Sequence, residues 1–574
     1  MTAEATGVQI RVPFAGWSAR EGPLTLGQRN VLRWMRDVPP DSQDLMLPVA
    51  VPVPAGATLD TVTAVVRELA RRHESLRTTL SDTDGGDVRQ RVAGSGELVI
   101  VRYEGGATPD DLLPDVVAGL TAKGIHPELE LPLRAAVVTG HGTPRHLVLA
   151  VSHLAVDAAS AELLRRQLTR LLAPGGAQAP YPLARQPVDQ AEIEATPQVR
   201  ARLDRAVGYW RTRLERAPQA MFAVPAHEPG RAAYRAVRLR SRALALAASA
   251  VAARTRTGRA TAVLAAVSAV VGHHAGQADC VVVAVAGNRQ APELRGYVGQ
   301  LAQDALITVS LSPAPFDEFV RRVWAASLNA YRHSQFDAVR LWRVIDEVGE
   351  RRGTKFARDL VFNDLSGYAP APAAPAADAA DLAAALADTE LAWLPAAALP
   401  VRLICYVNRL DPDRAELVVW ADVRRLPADR LAEAVRGVER LLVEAATRQV
   451  DLADIGAISG LSPVERGAGW HLVDACWVEL AEVRRLVADA LPAYQSGVFV
   501  TADAGEPRLV AYLAAAGRPL DPRDAHQACL AALPGRSTAM APRRYVVCDG
   551  PPPTGVDVAA WRALPVIAEG SGRP

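Results

Sequence analysis

The sequence predicts an α/β protein with more than one core, and three observations carry that prediction. Its 574 residues exceed what one ordinary hydrophobic core organises. Short continuous apolar runs have the composition of strands buried on both faces. Stretches with apolar residues at three- and four-residue steps, the pattern of amphipathic helices, lie between those runs.

Taken in order, Thr25 to Met35 reads as a helix, and the apolar, proline-interrupted Leu45 to Val53 as an extended segment. Leu59, Val62, Val66, Leu69, His73 and Leu76 then recur with helical spacing, placing one face on a core. Leu147 to Val151 is a continuous apolar run after Pro144 and predicts a buried strand. Ser152 to Asp157 follows as a loop. A second amphipathic helix is expected to begin near Ser160, whose hydroxyl can accept from first-turn amides, and to run through Leu164, Leu168 and Leu171 to Ala173-Pro174-Gly175-Gly176.

Residues 177–195 are polar and proline-containing and read as a connection. Beyond it are expected a charged helix from Val199 to Arg216, an Ala-rich helix from Arg259 to His273 and a buried strand from Cys280 to Ala286. Tyr368 to Asp381 has the Ala, Pro and Asp composition of a surface loop. The pattern restarts near Gly460 with a helix from Leu480 to Ala490, strands from Gly497 to Thr501 and Arg508 to Leu513, and a helix opened by Asp521-Pro522. Three segments are therefore expected: 1–180, 181–458 and a small α+β unit over 460–574.

Charge and composition narrow the partners. Lys plus Arg number 64 against 63 Asp plus Glu, a balance with no overall field for nucleic acid or an anionic membrane. No run approaches the roughly 20 apolar residues that cross a bilayer, and Met1 to Arg11 lacks the pattern of a secretory signal. The five cysteines are widely spaced and form no C-x-x-C pair, which suits a reduced cytoplasm. The adjacent His273 and His274 point in different directions from one helix and gather no further ligands, so no metal is expected. Carrier-protein serine and G-x-S-x-G texts are lacking too.

The chemistry rests on His153, four residues before Asp157. Spacing alone is weak, since 11 histidines give roughly half an H-x-x-x-D by chance, on composition. His333 and Asp337 form a second instance. The surrounding text says more. Leu24-Thr-Leu-Gly-Gln-Arg-Asn-Val-Leu-Arg-Trp34, Arg72-His-Glu-Ser-Leu-Arg-Thr78, Ser152-His-Leu-Ala-Val-Asp-Ala158, Ala286-Gly-Asn-Arg289 and Phe362-Asn-Asp-Leu365 stand at separated places in the chain. Together they resemble the condensation domains of nonribosomal peptide synthetases, over about residues 12 to 455.

In that family the opening text is S-x-A-Q-x-R, the second R-H-E-x-L-R-T and the third H-H-x-x-x-D-G. Ser152 replaces the first histidine and Ala158 the glycine. Leu301, Ala302, Gln303 and Asp304 stand where the family carries F-V-N-T.

The resemblance implies two chloramphenicol-acetyltransferase-like subdomains in a V, with a catalytic His153, a structural Asp157 paired with Arg289, and Ser152, Ala158 and Arg77 shaping the site. Arg289 and Arg77 read equally as solvated surface cations. Proton removal from an amine attacking a thioester suits an imidazole of near-neutral pKa. No intrinsic cofactor is expected; phosphopantetheine would arrive on an acyl- or peptidyl-carrier protein acting in trans, and the acceptor would be a free or carrier-bound amine or alcohol. The departures at Ser152, Ala158, Gln303 and Asp304 also suit a non-catalytic recruiting platform, and the F-N-x-L text an epimerase.

Trp477 to Arg484, Arg508 to Tyr512 and Met540 to Val547 resemble the small C-terminal subdomain of an adenylation domain. Its lysine is missing, because Pro553-Thr-Gly-Val-Asp557 stands where P-x-G-K is expected. A packing or docking role is expected of this unit.

Overall fold

The computed structural model describes residues 7–37, 45–81, 87–176, 184–225, 233–368, 378–395, 399, 401–503, 506–553 and 557–573. The chain forms two compact units. One comprises residues 1–205 with 286–303 and 334–338; the other comprises 206–285, 304–333 and 339–574. Two later segments thus fold back onto the first unit, an arrangement that consecutive segments ending at 180 and 458 cannot express. No helix among the described residues is long and apolar enough to cross a membrane.

The first unit is organised on a five-stranded sheet whose spatial order is Val8–Phe14, Gly96–Glu104, Leu133–Gly140, Thr143–Ser152 and Met46–Pro52. Gly96–Glu104 and Leu133–Gly140 run parallel, and the remaining neighbours are antiparallel. Leu147, Val148, Leu149, Ala150 and Val151 are all fully buried, because one sheet face meets helices Leu59–Arg72 and Ala158–Leu172 and the other meets Pro109–Thr121. A second, three-stranded sheet joins Arg20–Pro23, Arg89–Val92 and Thr78–Ser81.

Three sequence expectations change here. The helix from Leu59 ends at Arg72, four residues short of Leu76: His73 is extended, and Glu74–Arg77 forms a separate 3-10 turn. Buried His73 is held there by Gln167 at 2.8 Å, and the Glu74 amide donates to the Gln186 side chain at 2.9 Å. The helix expected near Ser160 starts at Ala158, capped by Asp157. The connection over 177–195 contains a helix, Pro187–Glu194, while 177–183 lie outside the described residues.

The second unit carries a seven-stranded mixed sheet in the order Gln303–Ser310, Asp279–Ala286, Leu360–Asp364, Leu403–Leu410, Ala415–Asp422, Tyr234–Ser241 and Glu390–Leu394. Helices Arg242–Thr255, Arg259–His274 and Ala428–Thr447 pack together beside it. Of the loop expected over Tyr368 to Asp381, residues 369–377 lie outside the described residues; Ala379–Ala387 is a helix capped by Asp378.

The C-terminal part of this unit holds the hairpin Trp470–Val473 with Cys476–Glu479. It also holds a four-stranded sheet in the order Gln495–Asp503, Glu506–Ala514, Arg544–Cys548 and Val566–Gly570. Helices Leu480–Ala490 and Pro522–Ala532 cover one face of that sheet, and the short helix Val558–Arg562 covers part of the other. Residues 554–556, within the altered P-x-G-K text, lie outside the described residues.

Buried Arg352 ties this part to the rest of the unit, donating to the Leu214 carbonyl at 2.5 Å, the Ala217 carbonyl at 2.7 Å and the Asp474 carboxylate at 2.8 Å. His526 bridges Tyr545 and the Glu350 carbonyl, and Arg466 lies over the Trp477 ring at 4.5 Å. All five cysteines are free and buried. Burial pushes the thiols of Cys280 and Cys405 up to about 12.

Candidate functional site

The site is built where the strand Thr143–Ser152 ends. After Val151 the chain turns sharply: the Ser152 carbonyl accepts from the amides of Ala155, at 2.9 Å, and Val156, at 3.1 Å. The His153 amide donates to the Leu45 carbonyl at 3.1 Å, continuing the ladder beside the preceding strand pair. Gln300 donates to the His153 carbonyl at 3.3 Å, so both backbone groups of His153 are held.

The turn closes on Asp157, which caps the helix Ala158–Leu172 by accepting from the Ser160 amide at 2.9 Å. Its carboxylate also receives the fork of Arg289, with both contacts at 2.7 Å, and the amides of Leu301 and Ala302 at 3.1 and 3.2 Å. Burial alone would push this carboxyl up, but the Arg289 charge and the converging N–H groups outweigh it and hold Asp157 below the ordinary carboxylate range. Arg289 further donates to Ser160 Oγ at 2.8 Å and the Gly287 carbonyl at 3.0 Å.

Ser160 therefore has a role the sequence reading misassigned. It is not the helix cap; its hydroxyl donates to the Gly299 carbonyl at 2.8 Å and accepts the Gly299 amide at 3.0 Å. The cap role falls to Asp157 because its carboxylate stands three residues earlier, the spacing at which a cap meets the third helical amide.

The His153 ring keeps partial exposure while its Nδ1 is buried, with no hydrogen-bond partner among the described residues. Burial pushes the imidazole down to about 4, against the opposing pull of the Asp157 charge. Burial thus disfavours the imidazolium and makes the ring a weaker base than a free histidine. Trp34 meets it edge-on, with ring centroids 5.6 Å apart. The opening text carries no signal of this contact, because its spacing places Trp34 only on a helix.

Ser152 is buried, and its hydroxyl accepts from the Leu154 amide at 3.3 Å. Ala158 is the first helical residue and half-buried. Arg77 is buried but serves a different place: it donates to the carbonyls of Ser18 at 2.8 Å and Ala93 at 2.5 Å and lies over the Trp17 ring at 5.6 Å. Those partners lie outside the His153 turn, so Arg77 braces the three-stranded sheet rather than the candidate site.

The second H-x-x-x-D does not repeat the first arrangement. His333 donates from Nδ1 to the Asn329 carbonyl at 2.8 Å and stacks on Tyr209, whereas Asp337 faces Arg29 at 3.7 Å. His274 donates to the Ser462 carbonyl at 2.8 Å, and among the described residues no cluster suited to a metal ion forms.

Residues 19–376 match the family model described as the condensation domain. Among curated relatives, phosphinothricin tripeptide synthetase PhsC of Streptomyces viridochromogenes is 27% identical over 346 residues, covering 58% of this chain and 31% of the relative. AMB antimetabolite synthetase AmbB of Pseudomonas aeruginosa is 28% identical over 302 residues, covering 52% and 24%. The chain thus spans less than a third of either synthetase.

Three solved structures share the fold. The X-domain from teicoplanin biosynthesis has a TM-score of 0.59 at 20% identity, covering 77% of this chain and 98% of that one. SgcC5 of Streptomyces globisporus has a TM-score of 0.56 at 19% identity, covering 74% and 98%. The condensation domain that mediates chain release from the enacyloxin polyketide synthase has a TM-score of 0.57 at 21% identity, covering 78% and 85%.

Proposed function

The chain belongs to the condensation-domain family, and from that premise we propose that it is an acyltransferase of natural-product biosynthesis. It joins an acyl or aminoacyl group, delivered as a thioester on the phosphopantetheine of a separate carrier protein, to an amine or alcohol acceptor. The observation that supports this reading is the placement of His153 in a turn whose backbone is hydrogen-bonded on both sides, to the Leu45 carbonyl and from Gln300.

In this reaction the acceptor nitrogen attacks the thioester carbon, a C–N bond forms, the C–S bond breaks, and the departing thiolate takes up the proton the amine loses. With its basicity reduced by burial, His153 holds the attacking N–H by a hydrogen bond and aims the lone pair, rather than carrying the proton as a long-lived imidazolium. Asp157 and Arg289 act as positioning residues, since their bonds fix the turn and the 299–302 segment around His153. The 460–574 part is proposed as an adenylation-subdomain remnant that packs or docks. A cytoplasmic location is part of the proposal, supported by five widely spaced cysteines that are all free.

The test incubates the protein and His153→Ala with a panel of acyl-loaded carrier proteins and candidate amines and alcohols, and reads condensed product by mass. Product from the wild type and a rate loss of about 10²- to 10⁴-fold in the variant are expected. Equal rates remove His153 from the chemistry.

A second reading, a recruiting platform without chemistry, is favoured by the weak basicity of His153 and by Ser152 in place of the first histidine. Binding of carrier or partner protein with no product from any pairing would support it.

A further inference from the structure

Helix Phe316–Arg332 of the second unit has a buried side and an outer side of unusual composition. Phe316, Phe319, Val320, Val323, Ser327 and Ala330 recur at three- and four-residue steps and are buried, where the helix packs on Arg242–Thr255 and Arg259–His274. Arg321, Trp324, Leu328 and Arg332 follow the same steps along the outer side, and all are exposed. Trp324 is 41% and Leu328 39% accessible to solvent. Single apolar residues on a surface are ordinary, but here a tryptophan and a leucine stand one turn apart between two arginines.

The charge of this line is not cancelled from within. Asp317 and Glu318, the acidic residues of the first turn, are engaged by Arg254 at 2.6 Å and Arg322 at 3.0 Å. Arg321 and Arg332 make no ion pair among the described residues. At a rise of about 1.5 Å per residue, the two free cations stand about 16 Å apart along the axis, with the apolar pair between them.

A second copy of this chain fits the line poorly, since either orientation of two such helices sets arginine against arginine. The near balance of charge over the whole chain gives an anionic membrane no wider attraction. A small apolar centre with a cationic rim has the composition of a transient protein interface, in which tryptophan carries affinity and the rim arginines speed encounter with an acidic partner.

We propose that this face docks an acidic helix of the separate carrier protein. An apolar side chain of that helix packs on Trp324 and Leu328, and carboxylates about three turns apart meet Arg321 and Arg332. The proposal rests on the carrier-dependent reading above, in which the partner must leave after each transfer, as a small interface allows.

Fluorescence anisotropy of labelled, acyl-loaded carrier proteins titrated with the full chain at low salt, without acceptor, tests it. Trp324→Ala is expected to raise Kd about tenfold. The double variant Arg321→Glu with Arg332→Glu should raise it as much and lose most of the salt dependence. Arg145→Glu, at an exposed position of the first unit, is the charge control and should bind as the wild type does. With acceptor present, KM for carrier should rise in step with Kd while kcat at saturating carrier holds, and circular dichroism melts check that each variant folds. Unchanged Kd in both docking variants, an equal loss in Arg145→Glu, or a wild type that binds no carrier would overturn the proposal. Trp324-dependent binding to phosphatidylserine vesicles in place of carrier would overturn it too. Carrier binding lost in the docking variants, with no product from any pairing, retains this face and removes the acyltransferase reading; product with an unaltered carrier KM does the reverse.

Discussion

Arg289 grips Asp157 with two parallel contacts of 2.7 Å, although 132 residues separate them in the chain. Both side chains are largely shielded from water, so neither charge is well hydrated once the other is gone. Arg289→Ala and Asp157→Ala are each expected to lower the unfolding free energy by about 3–5 kcal/mol, measured by urea denaturation. Arg289→Lys should recover only part of that, because a point charge cannot reproduce the fork. Since Asp157 is held below its unfolded value, its contribution is complete above the ordinary carboxylate range and fades as pH falls through the folded value.

His153 gives a prediction of opposite protonation chemistry. With the folded imidazole pushed down to about 4, the unfolded chain takes up this proton first as acid is added. The His153 contribution to stability therefore declines between the unfolded value near 6.5 and about 4. The His153 ring-proton NMR signal should titrate near 4, and product formation should show no inflection near 6.5 belonging to this residue. A signal titrating near 6.5 would return His153 to the role of an ordinary general base.

Gly27 offers a steric probe of the same region. A Cβ there would run into the Gln300 carbonyl, which accepts from the Thr25 hydroxyl at 3.3 Å. Gly27→Ala is expected to cost about 1–3 kcal/mol and to lower turnover by displacing Gln300 from the His153 carbonyl. Gly119, exposed in the helix Pro109–Thr121 with open space around it, makes the control: Gly119→Ala should raise stability by about 0.5–1 kcal/mol. Thermal melts separate the two.

Arg352 has a structural rather than catalytic consequence. It holds Asp474, which sits with φ at 49° in the two-residue turn of the hairpin Trp470–Val473 with Cys476–Glu479. Arg352→Met leaves buried carbonyls and this turn without their donor. Limited proteolysis should then cut the 462–470 segment at least about tenfold faster.

Much of the scaffold was legible because local rules and tertiary packing agreed. Leu480–Ala490 carries an uninterrupted apolar stripe and forms with the bounds expected of it. Asp521 and Pro522 supplied both cap and first turn for the last long helix. Leu147 to Val151, wholly apolar, is buried on both faces. The failures have a common physical origin in side-chain bonds to distant parts of the chain. Helical spacing continued through Leu76, but Gln167 and Gln186 hold His73 and Glu74 out of the helix. Ser160 looked like a cap because serine accepts well, yet Gly299, remote in sequence, claims its hydroxyl. Helix Arg242–Thr255 is illegible for a separate reason: it is apolar nearly all round, as a helix enclosed by neighbours must be, and so shows no stripe.

Within the candidate site, the family texts pointed to Asp157 and Arg289, and the structure pairs them. Trp34 against His153 and Gln300 on its carbonyl carry no spacing signal, since those contacts exist only once separate segments meet.

The five buried thiols have a use beyond packing. Cys280, Cys405, Cys476, Cys529 and Cys548 all belong to the second compact unit and leave the first without one. A disulfide reagent therefore encounters a molecule that is chemically silent until a part of it opens. Its labelling kinetics, resolved peptide by peptide, become a clock for breathing of the seven-stranded sheet at Cys280 and Cys405 and of the C-terminal part at the other three. The unit that carries His153 stays invisible to that clock, so its own openings can be timed separately by placing a single cysteine there.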